Sequence, residues 1–206
     1  MITDHDRSYY IGASDTKFVM GNWNTATFRH WWDVKMGLDE DNYDNIYLRT
    51  GTMYEHKILD HMNCTDRDRQ IIIGRLRVNL DGELYDSVVE VKTMKISTII
   101  KSVQRTKNEN KLLCENWWMP PKEYIQQTQV ELFATQKDCG IIIGYGLIDD
   151  DYDAVARGGT LEIDKSRLWH CDVYRDDEWL DKEYLPRLWY LCRCLEEERM
   201  PCMEDL

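Results

Sequence analysis

The spacing of apolar residues along the chain predicts alternating helices and strands. Apolar side chains recur at helical spacing in residues 27–36, 46–61, 121–134 and 177–198. Three strands are predicted: residues 70–80, which contain the run Ile71-Ile72-Ile73, the β-branched run 87–91, and the isoleucine-rich segment 139–147. The segments 159–163 and 168–175 are able to pair as later strands. This order predicts an α/β or α+β domain with a mixed central sheet flanked by helices.

The segment from Asp81 to Lys92 carries the most specific chemistry. Asp81-Gly82 is a turn dipeptide, and the β-branched run after it predicts a strand. Because side chains alternate along a strand, Glu90 and Lys92 share one face, while the valines beside them face a core. Asp81 is then able to meet Glu90 across the turn.

Two carboxylates and one ammonium on a single patch are costly unless a cation binds them. Oxygen ligands of this kind suit Mg²⁺ or Mn²⁺. The alternative interpretation is a charged hairpin edge that faces solvent, since Glu-x-Lys is common on sheet surfaces. The rest of the chain decides between the two.

Composition describes a globular chain. Its 206 residues are 43% hydrophobic and 31% charged, which predicts one domain over residues 1–206 with a C-terminal helix. No apolar run is long enough for a membrane span, and residues 1–10 do not resemble a secretory signal. Seven cysteines without a paired framework indicate reduced thiols, as in a cytoplasm.

The net charge of -12 argues against a general nucleic-acid coat protein but not against a nuclease, because metal-binding carboxylates add to the acidic count. One basic tract stands out in this acidic chain. It contains Lys95, Lys101, Arg105, Lys107 and Lys111. Two interpretations stay open: the tract faces phosphates, or it balances acidic neighbours.

Residues 11–15 read as a tight turn that leads into a helix. Ser14 or Asp15 is able to cap that helix, and its first amides would form an anion site. Arg7 lies seven positions before Ser14. A structural cap without a ligand is the alternative. Glu55 lies on the helix predicted at 46–61, where a single Glu is ordinarily solvated.

Four motifs in order resemble the lambda-exonuclease or YqaJ-type viral recombinase family, within the PD-(D/E)xK nuclease superfamily. The family's opening Ala-Ser-Glu/Asp turn is matched by residues 11–15, and its Arg-Gly-x-x-x-Glu helix by residues 48–55. Its Asp-Gly and Glu-x-Lys core is matched by Asp81-Gly82 and Glu90-Val91-Lys92. Its Tyr-x-x-Gln-x-Gln helix is matched by residues 124–129.

The resemblance implies a restriction-endonuclease-like core and a role for each matched position. Asp81, Glu90 and the Val91 carbonyl would ligate Mg²⁺ or Mn²⁺, and Lys92 would activate the attacking water. Glu55 would support the metal site, and Gln129, with Gln127, would complete it. The residues implied for DNA and phosphate binding are Arg7, Ser14, Lys101 and Gln127.

The resemblance also implies a phage-type exonuclease that digests double-stranded DNA ends from 5′ to 3′ for recombination. A homo-trimer and a single-strand annealing protein are the implied partners. The sequence departs from the family pattern at Leu80, where a Pro often precedes the Asp. The family's further basic phosphate anchor, shortly after the Lys, has no clear match near Thr98, although Lys101 is close.

Two other functions stay open. A Cas4-like or AddB-like iron–sulfur nuclease would use Cys192, Cys194 and Cys202 with Cys64 or Cys171, although Cys-x-Cys differs from the usual ligand spacing. A non-catalytic nuclease-fold protein would use its acidity to mimic DNA or to dock a partner.

Overall fold

The computed structural model describes residues 9–40, 45–108, 116–159 and 161–206. Its α-helices are α1 Thr16–Val19, α2 Ala26–Lys35, α3 Ile46–Met62, α4 Ile96–Asn108, α5 Lys122–Thr135, α6 Asp149–Ala156, α7 Asp177–Trp179 and α8 Leu185–Glu196. Its strands are β1 Ile11–Gly12, β2 Gln70–Ile73, β3 Leu76–Asn79, β4 Gly82–Leu84, β5 Ser87–Lys95, β6 Cys139–Leu147 and β7 Leu168–Tyr174. No helix in these ranges is long and apolar enough to cross a membrane.

The strands form two mixed sheets within the described ranges, rather than the single central sheet predicted. The smaller sheet has the order β1-β3-β2, with β1 parallel and β2 antiparallel to β3. The larger has the order β4-β5-β6-β7, in which β5 and β6 are parallel and the outer pairs are antiparallel. The mixed α/β class is confirmed.

The hairpins differ from the prediction. Residues 70–80 are not one strand, because the chain reverses between β2 and β3, where Gly74 has a φ of 59°. Asp81-Gly82 is not the turn between β4 and β5, since Gly82 already belongs to β4. The reversal falls at Tyr85-Asp86, where Tyr85 has a φ of 56°. Asp81 therefore stands at the entrance to a strand.

The larger sheet is covered on both faces. Along β5, Val88 belongs to one core cluster, while Val89 and Val91 belong to a second that includes residues of α3. The face that carries Val88 also carries Glu90, which is 1% exposed. The solvent-facing hairpin edge considered above is therefore wrong, because α5 packs over that face.

Two glycines allow the helices to approach this sheet closely. A Cβ atom on Gly140 of β6 would lie 2.7 Å from the Thr128 side chain of α5. A Cβ atom on Gly51 of α3 would lie 3.1 Å from the Thr93 side chain of β5. The contact at Gly140 leaves no room for a Cβ atom unless Thr128 moves, and the contact at Gly51 would require the Thr93 side chain to shift by a few tenths of an ångström. Together they bring α3 and α5 against the strands that carry Glu90 and Lys92.

Some elements were not predicted. Residues 96–108 form a helix after β5, with Lys101 and Arg105 exposed, and residues 149–156 form another. The described residues of the segment 159–163 form no strand. The terminal helix has a π-helical segment, Leu180–Tyr184, which ends two residues before Pro186. Proline has no N–H to donate and its ring clashes with the carbonyl four residues before it, so a regular α-helical turn is disfavoured there.

A buried polar network joins α3 to the start of β7. The Tyr54 hydroxyl donates a 2.6 Å hydrogen bond to Asp151 of α6. Arg167 donates to both carboxylate oxygens of Asp151, at 2.6 and 3.3 Å. Burial alone would raise the pKa of Asp151, but the bonds from Arg167 and Tyr54 hold it below its ordinary value. This network fixes the helix that carries Glu55.

We expect Asp151→Asn to lower the free energy of unfolding at pH 7 by about 2–4 kcal/mol, because it leaves the Arg167 charge without its partner. A carboxyl whose pKa is lowered in the folded state stabilises the fold above its unfolded pKa, roughly 3.9, and loses that effect as pH falls. Denaturant unfolding should therefore show the variant approaching wild type below about pH 4.

Asp153→Asn is the matched control. Asp153 pairs with Arg157 at 3.1 Å, and both side chains are exposed. The free energy of unfolding should therefore change by no more than about 0.5 kcal/mol. Equal losses in the two variants would contradict the role assigned to Asp151.

Candidate active site

The β4–β5 hairpin brings Asp81, Glu90 and Lys92 together. The register of its antiparallel ladder places Asp81, one residue before β4, beside Glu90. The Oδ2 atom of Asp81 accepts a hydrogen bond of 2.8 Å from the Val91 amide. The Lys92 ammonium contacts the Oε1 atom of Glu90. The hairpin alone thus assembles two carboxylates and one ammonium.

Helix α5 supplies two further groups. The Nε2 atom of Gln127 donates to Glu90 at 2.7 Å and to Glu131 at 2.9 Å. Glu131 is fully buried. We refer to Asp81, Glu90, Lys92, Gln127 and Glu131 as the carboxylate cluster.

Glu131 was missed in the sequence. It lies four residues after Gln127, so both side chains share one face of α5. That spacing is the signal that would have found it. A carboxylate at this position, inside a helix that packs against a strand with its own Glu, indicates a charged site rather than a solvated face.

Burial and mutual repulsion perturb the carboxyl groups. Burial, followed by the charge of Glu90, raises the pKa of both Asp81 and Glu131 well above ordinary values. Burial would lower the pKa of Lys92, but the carboxylates of Glu90 and Asp81 raise it above its usual range. Lys92 therefore stays charged while the carboxyls compete for protons. Perturbation of this kind is typical of functional sites.

The donor set fits a hard divalent cation. The Oε2 atoms of Glu90 and Glu131 are buried without a hydrogen-bond partner. Oxygen donors left unpaired in this way are what Mg²⁺ or Mn²⁺ prefers. Within the described residues, no three His, Cys, Asp or Glu side chains gather closely enough to hold a metal by themselves. Water or backbone oxygens would have to complete the coordination.

Glu55 lies at the margin of the cluster, on α3 one turn after Gly51. Burial, and then the charge of Glu90, raises the pKa of Glu55, while Lys92 lowers it. Glu55 therefore interacts with the cluster through its charge, as expected for a supporting group rather than a direct partner.

The structure does not bring Gln129 to the cluster. Its Nε2 atom donates to the Tyr174 carbonyl at 2.6 Å, and its Oε1 atom accepts from the Asp176 amide at 2.7 Å. Two residues along a helix rotate a side chain by roughly 200°, so Gln127 and Gln129 cannot face the same site. Gln129 holds the chain after β7, and Gln127 occupies the position expected of Gln129.

Residues 4–138 match the family model described as the YqaJ-like viral recombinase domain. The chain belongs to this family. The match ends just before β6 and includes the whole carboxylate cluster. No curated protein matches the sequence.

Solved structures share the fold of this YqaJ-like chain. An alkaline exonuclease, LHK-Exo from Laribacter hongkongensis, is 19% identical with a TM-score of 0.66, over 95% of this chain and 94% of its own. The structure of LHK-Exo in complex with dAMP is 18% identical with a TM-score of 0.64, over 93% of this chain and 90% of its own. A phage related exonuclease from Haemophilus somnus 129PT is 14% identical with a TM-score of 0.61, over 94% of this chain and 99% of its own. At such identities the likeness establishes the fold.

The residues predicted to bind phosphate lie in different places in the YqaJ-like domain. Ser14 is exposed in the turn after β1 and lines a cavity that Gln127 also lines. Lys101 is exposed on α4. Arg7 and Lys111 lie outside the described residues.

The thiols proposed for an iron–sulfur cluster lie apart. Cys192 and Cys194 are buried in one core cluster, Cys64 is buried in the other, and Cys202 is exposed. Among the described residues, no three His, Cys, Asp or Glu side chains lie close enough together to hold a metal. The described part of the domain therefore offers no support for the iron–sulfur alternative.

We expect Glu131→Gln to stabilise the metal-free protein at neutral pH. A carboxyl whose pKa is raised by folding costs stability once pH exceeds its unfolded value, roughly 4.3, and that cost grows with pH. Glutamine removes the cost. The gain should reach about 1–3 kcal/mol at pH 7–8 and vanish near pH 4.

Denaturant unfolding in EDTA from pH 4 to 8 measures this difference. Glu123→Gln, at an exposed position of the same helix, serves as control and should change stability little at any pH. A Glu131→Gln protein less stable than wild type throughout would show that the ionised carboxylate stabilises the fold.

Proposed function

We propose that this YqaJ-like domain is a metal-dependent deoxyribonuclease, a phage-type exonuclease that degrades double-stranded DNA from 5′ ends for recombination. The buried carboxylate cluster carries the proposal: Lys92 contacts the Oε1 atom of Glu90, and the Oε2 atoms of Glu90 and Glu131 are buried without a hydrogen-bond partner. A cluster this costly to bury is expected where chemistry uses it. A single nuclease domain over residues 1–206 stays part of the proposal.

Asp81, Glu90 and the Val91 carbonyl are the groups that would hold Mg²⁺ or Mn²⁺. Gln127 donates to both Glu90 and Glu131, so the Glu131 carboxylate lies next to this ligand set. When bound, the metal supplies a water of lowered pKa and offsets negative charge on the scissile phosphate. Glu55 supports the site through its charge.

Lys92 is the group we assign to the reacting phosphate. It is held on β5 by Glu90, and its raised pKa keeps it cationic at neutral pH. A fixed ammonium in a site of low dielectric stabilises the additional negative charge of the transition state. Gln127 keeps Glu90 oriented by donating to its Oε1 atom.

A DNA end is the substrate we favour, because the cavity at Ser14 shares Gln127 with the carboxylate cluster. In one of the similar structures, LHK-Exo is in complex with dAMP. We extend nucleotide binding to this chain as part of the proposal. Lys101 and Arg7 remain proposed contacts to the DNA backbone. A homo-trimer, a single-strand annealing partner and a cytoplasmic location belong to the same proposal.

The purified protein should release nucleotides from linear duplex DNA when Mg²⁺ or Mn²⁺ is present. Duplexes labelled at the 5′ or the 3′ end report polarity, and we expect loss of the 5′ label first. A covalently closed circle of the same sequence is the control for end dependence. Undiminished digestion in excess EDTA would sink the proposal, and rapid cleavage of closed circles would indicate an endonuclease.

Lys92→Ala should lower the cleavage rate by about 100- to 1000-fold, as loss of one transition-state donor does elsewhere. Glu90→Ala should do the same and also remove the rise in melting temperature that Mg²⁺ causes in wild type. Lys182→Ala is the matched control, because this lysine is exposed and pairs only with Glu178 in the described structure. Near-normal turnover in a folded Lys92→Ala protein would show that the site is assigned wrongly.

A further inference from the structure

Tyr124 shares a face of α5 with two members of the carboxylate cluster. It precedes Gln127 by three residues and Glu131 by seven, so the three side chains follow one stripe along the helix. The Tyr124 amide donates to the Pro121 carbonyl at 3.0 Å, which fixes the residue in the first turn of α5. The stripe therefore presents an aromatic ring, an amide and a carboxylate to β5, in that order.

The Lys92 ammonium contacts both the Tyr124 ring and Glu90. Its Nζ atom lies 5.2 Å from the centre of the ring and pairs with the Oε1 atom of Glu90. The negative face of an aromatic ring attracts an ammonium at this distance, and more strongly where water is partly excluded. The Lys92 side chain is only 22% exposed, and Tyr124 is half-buried. The ring is therefore placed to hold the ammonium.

The two contacts act differently on the ammonium. A carboxylate accepts a strong hydrogen bond and so occupies one of the three N–H donors. A ring face attracts the charge but is a weak acceptor, so the N–H groups stay available to a phosphate. Glu90 is also one of the groups proposed to hold a divalent cation, which prefers oxygen ligands. The ring is thus a contact of Lys92 for which such a cation would not compete.

Packing alone is the competing explanation for Tyr124. The residue is partly buried and packs against one of the two core clusters. If packing were its whole role, an apolar side chain of similar size would replace it without any effect on Lys92. The two explanations differ in whether Lys92 responds when the ring is removed.

We propose that Tyr124 is a positioning residue that acts through Lys92, because the face of its ring holds the ammonium against the carboxylate cluster. In the proposed nuclease, the same contact aims Lys92 at the reacting phosphate. This second part rests on the proposed function and deepens it, whereas the ring contact does not depend on activity.

Nuclear magnetic resonance of the metal-free protein tests the ring contact without catalysis. In protein labelled with ¹³C in its lysines and kept in EDTA, the Cε–H signal of Lys92 is identified by its absence from Lys92→Ala. The ring current of Tyr124 should shift this signal upfield, away from those of exposed lysines such as Lys182. Tyr124→Phe keeps the ring and should keep the shift, whereas Tyr124→Leu should lose it.

Phe133→Leu is the matched control. Phe133 is a half-buried aromatic residue of the same helix, and it packs against the same core cluster. It lies nine residues after Tyr124 in α5, roughly 13 Å farther along the helix axis. The control should leave the Lys92 signal in place, and its melting temperature reports the effect of losing a ring from the packing.

Cleavage of linear duplex DNA in Mg²⁺ tests the second part. Tyr124→Leu should lower kcat by about five- to thirtyfold with little change in KM, since the contact of a partly desolvated cation with a ring is lost from the transition state. Tyr124→Phe and Phe133→Leu should stay within about twofold of wild type. In a Lys92→Ala background, Tyr124→Leu should lower the rate no further, because the group through which it acts is gone.

Failure of the inference and failure of the nuclease proposal are distinguishable. An unshifted Lys92 signal in wild type, or a shift that persists in Tyr124→Leu, would overturn the ring contact. A loss of kcat in Tyr124→Leu no greater than in Phe133→Leu would overturn the positioning role. Tyr124→Met replaces Tyr124→Leu if the latter does not fold. Absence of Mg²⁺-dependent digestion by wild type would overturn the nuclease proposal and the aim of Lys92 at a phosphate, while a shifted Lys92 signal would still uphold the ring contact.

Discussion

The burial of charge between β5 and α5 is the constraint on which the rest of the structure depends. Glu90 and Glu131 are almost inaccessible to solvent and face each other across Gln127. Burying two carboxylates side by side opposes folding, and one lysine offsets only part of the cost. The packing of the rest of the fold has to offset the remaining unfavourable free energy. A bound cation would lower that free energy, so this is the place where we propose that a cation binds.

Close packing of helices on the larger sheet offsets the cost of burying these charges. Gly140 lets α5 lie directly on β6, and Gly51 lets α3 lie directly on β5. The hydrogen-bonded group of Tyr54, Asp151 and Arg167 then ties α3 to α6 and the start of β7. Dense packing leaves the cluster little freedom to relax by moving apart. The repulsion between the buried carboxylates therefore remains in the folded protein, as is common where activity and stability compete.

Similarity to known proteins identifies the family and the fold of this chain, whereas its chemistry depends on individual side chains. The family model covers residues 4–138, and the exonuclease structures, at 19% identity or less, share the fold over nearly the full chain. A fold hosts many functions, so the argument for chemistry has to come from this chain's own side chains. Glu131 illustrates the point, because it is buried in the carboxylate cluster and belongs to none of the matched motifs.

The sequence by itself determined the mixed α/β class, most helices, and the pairing of Asp81, Glu90 and Lys92, because strand alternation and short hairpins are local properties. It did not determine that residues 70–80 fold back, since the reversal at Gly74 interrupts a run that is apolar on both sides of it. The choice of Gln127 over Gln129, and the presence of Glu131, depended on which face of α5 meets the sheet. The parallel pairing of β1 with β3 joins residues that are 65 positions apart in the chain. Only tertiary packing decides these features, because it determines which side chains are buried against one another and shielded from water.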